Sequence, residues 1–80
     1  MGRMSARYVG KEILKDTAWV YKIWEEMGIV FKDKFGTWNL TELGKEIGGK
    51  MSKSNHTPVP TFDLDFIIEK MNEYLIKTKQ

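Results

Sequence analysis

Residues 17–41 read TAWVYKIWEEMGIVFKDKFGTWNLT, and this stretch decides the fold. Its first half has apolar side chains at three- and four-residue spacing, which is typical of the buried face of a helix. Gly28 then ends the helix, because glycine adopts a left-handed conformation without a Cβ penalty. Two runs rich in β-branched and aromatic residues follow, at 29–32 and 37–40, joined by a four-residue loop with Gly36 last. The stretch predicts a helix and a β-hairpin, and the buried positions of the helix are Val20, Ile23, Trp24 and Met27.

A shorter helix precedes this stretch. Ser5 is a suitable cap for a helix over residues 6–15, although Gly10 lowers its intrinsic stability. Lys15 and Asp16 then form a turn, after which Asp16 or Thr17 caps the second helix. Two helices joined by a short turn and followed by a hairpin have the order of a winged-helix domain, in which the hairpin is the wing.

The second half of the chain contains one short helix and one extended segment. Thr41 caps a helix over residues 42–47, and residues 50–56 are polar enough to predict a loop. Residues 57–62 contain Pro58 and Pro60, and a residue before proline is pushed out of the helical region. Because proline cannot donate a hydrogen bond, we expect this strand at the margin of a sheet, with its proline side outward.

The last helix has the clearest signal in the sequence. Asp63 is its cap, and Phe62 and Ile67 have the spacing of a hydrophobic staple. The resulting expectation is a small α+β winged helix of order α-α-β-β-α-β-α, forming one domain over residues 1–80 with residues 1–4 disordered. The apolar face of the last helix comprises Leu64, Ile67, Ile68, Met71, Tyr74 and Leu75.

The composition limits the possible functions. Eighty residues suffice for one domain, and a chain without cysteine has neither a disulfide nor a thiolate metal site. Cysteine-free composition and short, charge-interrupted apolar runs favour a cytoplasmic protein that does not cross a membrane. With a single histidine, His56, the sequence offers no catalytic constellation and no metal site. We therefore expect a protein that is not an enzyme and that needs no cofactor.

The positive charge is concentrated on the predicted helix–turn–helix and wing. Net charge is only +2, but residues 1–22 carry five basic groups against two acidic ones, and residues 32–53 carry five against three. Phosphate contacts to double-stranded DNA need such an excess. The predicted phosphate contacts are Lys11, Lys22, Lys32 and Lys34, and the residues expected near the bases are Thr17, Trp19 and Tyr21.

Two observations keep an alternative open. The second helix has no arginine, which is the commonest specific reader of guanine, and Trp19 and Tyr21 are large enough to be packing residues instead. The aromatics Trp19, Tyr21 and Phe35 also suit a hot-spot surface for a protein partner. The alternative is a protein-binding module that modulates a host protein. In either case the last helix could form a homodimer interface.

Several short motifs resemble the carboxy-terminal (KilA-C type) domain of phage antirepressors. They are EMGI at 26–29, FK at 31–32 and GTWNLT at 36–41, and LTELG at 40–44 resembles a segment of phage and plasmid winged-helix proteins. The similarity spans about residues 9–62. It implies a small phage- or prophage-type protein that binds DNA and regulates transcription. The sequence differs from these proteins in a shortened turn between the first helices, and we expect it to lack their amino-terminal domain.

Overall fold

The described part of the chain forms four helices and five short strands. The computed structural model describes residues 3–54 and 57–78, and all structural statements below concern these residues. The helices are α1 (Ala6–Ile13), α2 (Thr17–Met27), α3 (Glu42–Glu46) and α4 (Leu64–Thr78). The strands are β1 (Arg3–Ser5), β2 (Val30–Lys32), β3 (Trp38–Leu40), β4 (Lys50–Ser54) and β5 (Thr57–Asp63).

The strands form two antiparallel sheets. Strands β2 and β3 form the two-stranded hairpin that the sequence predicts, but Lys32 is the partner of Trp38, so the loop includes Thr37 as well as the predicted residues 33–36. The other sheet has the order β1-β5-β4. The element order is therefore β-α-α-β-β-α-β-β-α, with two strands more than we expected. The chain is a small α+β domain in which the two sheets, helix α2 and helix α4 enclose one core.

The predicted position of the proline-containing strand is wrong in part. Strand β5 is the middle strand of its sheet and does not lie at the margin. The pairing with β1 is confined to Thr61–Asp63, however, whereas Pro58, Val59 and Pro60 pair only with β4. Each proline therefore lies in the part of β5 that has a neighbour on one side only.

Two further predictions need correction. Residues 50–54, expected to be loop, form strand β4, which pairs along its whole length with β5. Arg3 and Met4, expected to be disordered, form β1 with Ser5. Met1, Gly2, Asn55 and His56, on which the same predictions also fall, lie outside the described residues. Both strands pair with β5, which is distant in sequence from β1 but is the next strand after β4.

Trp24 is at the centre of the core, as the apolar spacing of α2 predicts. Its side chain is fully buried, its Nε1 donates to Met71 Sδ at 3.2 Å, and its ring meets Phe62 edge-on at 4.8 Å between centroids. Met71 lies on α4 and Phe62 on β5, so one side chain connects three elements. The buried hydrophobic residues are Ala6, Val9, Val20, Ile23, Trp24, Ile29, Val30, Leu40, Phe62, Ile67 and Met71.

Two of the predicted helix caps form a side-chain hydrogen bond, whereas Ser5 and Asp16 stand at the N-cap positions of α1 and α2 without one. The Thr41 hydroxyl accepts from Gly44 N–H at 3.0 Å at the start of α3, and the Asp63 carboxylate accepts from Phe66 N–H at 3.2 Å at the start of α4. Gly28 ends α2 with φ of 81°. No helix among the described residues is long and apolar enough to cross a bilayer.

Candidate nucleic-acid interface

Helix α1 ends at Ile13, two residues before its predicted end, and residues 14–16 connect it to α2. Leu14, the residue after α1, has φ of 61°, and Lys15 N–H donates back to the Gly10 carbonyl at 2.8 Å. These features make a Schellman motif, in which a left-handed residue closes the helix. A Cβ on Gly10 would lie 2.5 Å from the Lys15 carbonyl oxygen and 3.4 Å from Val20 Cγ2. Glycine at this position therefore allows α1, the turn and α2 to pack directly against one another.

Helix α2 leaves one face free at its beginning. Ala18 and Lys22 are exposed on the side opposite the buried Val20 and Trp24, and Thr17 is exposed in the first turn. Two of the predicted DNA contacts, Thr17 and Lys22, are thus accessible on this helix. Glu25 and Glu26 are also exposed, but they lie toward the end of the helix. Any approach of a polyanion is therefore more favourable near Thr17 than near the carboxylates.

Tyr21 connects α2 to the hairpin. Its half-buried ring stacks on Trp38 of β3 with 4.7 Å between centroids and only 4° between planes, and it meets Trp24 edge-on at 5.9 Å. The Lys32 ammonium lies 5.6 Å from the centre of the Trp38 ring. Burial raises the pKa of the Tyr21 hydroxyl. Tyr21, predicted to lie near the bases, therefore packs between α2 and the hairpin and holds the hairpin beside the helix.

Trp19 lies on the other flank of α2. Because Trp19 and Tyr21 are two positions apart in the helix, their side chains lie about 160° apart around the helix axis. The half-buried Trp19 lines a cavity together with residues of α4, and the Lys15 ammonium lies 5.2 Å from the centre of its ring. On the same flank, Tyr74 Oη donates to a Glu26 carboxylate oxygen at 2.8 Å, and this hydrogen bond raises the pKa of Tyr74. The predicted pair of neighbouring aromatics, Trp19 and Tyr21, is therefore divided between two faces.

The hairpin tip is held by a residue that the sequence analysis did not single out. The Asp33 carboxylate accepts from the N–H groups of Phe35 and Thr37 at 2.9 and 3.0 Å, and from Asn39 Nδ2 at 2.9 Å. The Thr37 N–H is the main reason why the pKa of Asp33 lies below its ordinary value, with further contributions from Phe35 and Asn39. The signal was present in the sequence, since aspartate with glycine three residues later favours a turn that bonds its own backbone.

The predicted lysines of the hairpin are accessible. Lys32 and Lys34 are exposed, and the Lys34 ammonium lies 5.3 Å from the centre of the Phe35 ring. Phe35 is 80% exposed at the tip, as expected from the sequence. The hairpin therefore presents two cations and one free aromatic ring to solvent.

Helix α1 contributes a second basic element. Lys11 is exposed and its ammonium lies 5.7 Å from the centre of the Tyr8 ring. Arg7, which the sequence analysis counted only in the charge balance, precedes it by four residues and is also exposed, so both project from one helix face. Among the described residues the only ion pair is Lys70–Glu73, at 3.6 Å on α4. The cations of α1, α2 and the hairpin are thus not neutralised by carboxylates in this part of the chain.

Comparison with known proteins adds no relative: no family model, no curated protein and no solved structure matches the chain. Within residues 3–54 and 57–78 there is also no cluster of three histidine or carboxylate side chains able to hold a metal ion. The resemblance of residues 9–62 to phage antirepressors therefore stays a prediction. The chain's own residues are the basis for the function proposed next.

Proposed function

We propose that this domain is a non-enzymatic regulatory protein of the winged-helix class that binds double-stranded DNA. Helices α1 and α2 would form the helix–turn–helix, with Thr17 and Lys22 at the duplex. The element order supports this class, because the hairpin β2–β3 follows α2 directly, as a wing follows the second helix, although it forms a sheet of its own beside β1-β5-β4. The phage-type motifs at residues 36–44 agree with a regulator of this kind.

The single observation that carries the proposal is the stack of Tyr21 on Trp38. It fixes the hairpin β2–β3 beside α2, so the lysines of these two elements move as one body. Lys22 follows Tyr21 in the helix, and Lys32 lies over the face of Trp38. Fixed cations suit a phosphate backbone, because less conformational freedom is lost when the complex forms.

Salt dependence of DNA binding tests the proposal. Each phosphate contact contributes about 0.9 to the slope of log K against log salt. Replacing Lys22 and Lys34 by glutamine should therefore lower that slope by about 1.8. The assay is fluorescence anisotropy with a labelled duplex of mixed sequence, titrated at several salt concentrations.

A matched control removes the same charge elsewhere. Lys70 and Lys77 lie on α4, which packs on the Trp19 flank of α2, away from the stacked hairpin. The double glutamine variant of this pair should keep the parental slope. Equal loss of slope in both double variants, or no retention of the duplex even at low salt, would overturn DNA binding through this face.

One observation favours a second function, binding of a protein partner. Phe35 and Phe31 are 80% and 44% exposed on the hairpin, an unusual exposure for large aromatics. A partner that anchors on Phe35 would lose affinity strongly on Phe35→Ala and little on the lysine replacements. That outcome, combined with failure to retain DNA, would favour the protein-binding module.

A further inference from the structure

A cavity lies between the helix–turn–helix and the last helix. Its volume is about 180 Å³. The α1–α2 turn and the start of α2 form one wall, and α4 forms the other. It lies on the flank of α2 opposite the stacked hairpin, so it is separate from the proposed DNA face. The lining residues are Ile13, Lys15, Trp19, Ile68, Met71, Asn72 and Leu75.

Most of the cavity wall is apolar, and its polar groups are few. Lys15 is the only charged residue among the lining residues, and its ammonium lies 5.2 Å from the centre of the Trp19 ring. Asn72 adds a side-chain amide, which can donate or accept. Lys15 has no carboxylate partner among the described residues. Such a cavity favours an anion over a cation, because a positive ligand would face an unpaired ammonium.

The size and shape of the cavity restrict the ligand further. An apolar cavity of about 150 Å³ holds one benzene molecule, so 180 Å³ has room for one aromatic ring system with a small substituent. Trp19 offers a face or edge against which such a ring can pack. A site with apolar walls and one or two polar groups is the usual form of a small-molecule site.

We propose that this cavity binds a small aromatic monocarboxylate. Its ring lies against Trp19, and its carboxylate accepts a charge-assisted hydrogen bond from Lys15. Asn72 donates a second hydrogen bond through its amide. The proposal does not depend on DNA binding, since none of the lining residues belongs to the hairpin or to the exposed face of α2.

Two probes of equal ring size and opposite charge test the site. Benzoate and benzylamine are titrated separately into ¹⁵N-labelled protein, and the indole N–H signals are followed by NMR. For a ligand of this size, millimolar affinity or better is expected. Benzoate should shift the Trp19 signal and leave that of Trp38, in the hairpin, in place. The amine should bind at least about tenfold more weakly, because it meets the Lys15 ammonium.

Two lysine variants separate the site from unspecific attraction. Lys15→Met keeps the apolar stem and removes the charge, so benzoate should bind about tenfold more weakly. Lys11→Met is the matched control, because Lys11 is an exposed lysine of α1 that does not line the cavity. Equal binding of acid and amine, an equal loss in both variants, a shift of Trp38 in place of Trp19, or no shift at all would each overturn the proposal. The two probes are compared on the unmodified protein, so this part of the test does not depend on whether a variant folds.

Discussion

Leu14 is strained, and its replacement by glycine should stabilise the protein. The residue closes α1 with φ of 61°, a conformation that costs an L-amino acid roughly 1–2 kcal/mol. Glycine adopts this conformation freely and is the usual residue at such a position. The leucine side chain offers nothing in return, because it is 89% exposed.

The expected gain follows from two opposing contributions. Relief of the left-handed strain contributes roughly 1–2 kcal/mol. The greater freedom of glycine in the unfolded chain removes roughly 0.4–1 kcal/mol of that gain. Leu14→Gly should therefore raise the free energy of unfolding by about 0.5–1 kcal/mol. For a domain of this size that is a rise in Tm of roughly 2–8 °C.

Leu14→Ala separates strain from the loss of the side chain. Alanine also lacks the leucine methyl groups but keeps a Cβ, so most of the left-handed strain persists. Its stability should stay within about 0.5 kcal/mol of the parent, which is usual for exposed positions. Urea denaturation followed by circular dichroism measures all three proteins. If Leu14→Gly is no more stable than Leu14→Ala, the strain at this turn is not real and the reasoning fails.

Three other perturbations address the core, the helix crossing and the hairpin. Trp24→Ala should lower the free energy of unfolding by roughly 3–5 kcal/mol, because the fully buried indole bridges α4 and β5. A melting temperature within a degree or two of the parent would contradict the placement of Trp24 on the buried face of α2. Gly10→Ala should lower the free energy of unfolding by about 1–2 kcal/mol, because the alanine Cβ would meet the Lys15 carbonyl oxygen. This loss is expected even though alanine favours a helix over glycine by about 1 kcal/mol. A variant that is more stable than the parent in urea denaturation would show that α1 and the turn have room for the added methyl group. The pKa of Asp33 is lower in the folded state than in the unfolded chain. Its carboxylate therefore stabilises the hairpin fully at a pH above the unfolded pKa, and this stabilisation is lost as the pH falls through the folded pKa. NMR titration should give a midpoint below 3.8 together with loss of the hairpin signals, and a midpoint above 3.8 would contradict the hydrogen bonds seen at the tip.

The elements with local signals were predictable from sequence. Helix α2, the hairpin β2–β3 and helix α4 each carry their own periodicity, cap or turn residue, and they form where expected. Strands β1 and β4 carry no such signal. The sequence of β4, KMSKS, is almost entirely polar, and β1 has only three residues. Both are strands because β5 supplies hydrogen-bond partners. The partner of β1 is distant in sequence, and β4, although it is next to β5 in sequence, lacks the apolar alternation by which a strand is recognised.

The candidate site was predictable in its charges but not in its geometry. Exposure of Lys22, Lys32 and Lys34 follows from their polarity alone. The separation of Trp19 from Tyr21 depends on which elements pack on each flank of α2, namely α4 on one side and the hairpin on the other. That choice is made by tertiary packing, so the sequence left both aromatics open to a functional or a packing interpretation.

The prolines of β5 determine where the first helix begins. Since proline cannot donate, the N–H groups that β5 offers to β4 come from the alternate residues, such as Val59, and the proline nitrogens face the side of β1. In the register of β1, the pair after Ser5 and Thr61 would be Ala6 and Pro60, where no N–H is offered. The chain leaves the sheet at that point and turns into α1. Pro60 thus limits the length of β1, and a redesign that aims to extend this strand and to start the first helix later would replace Pro60.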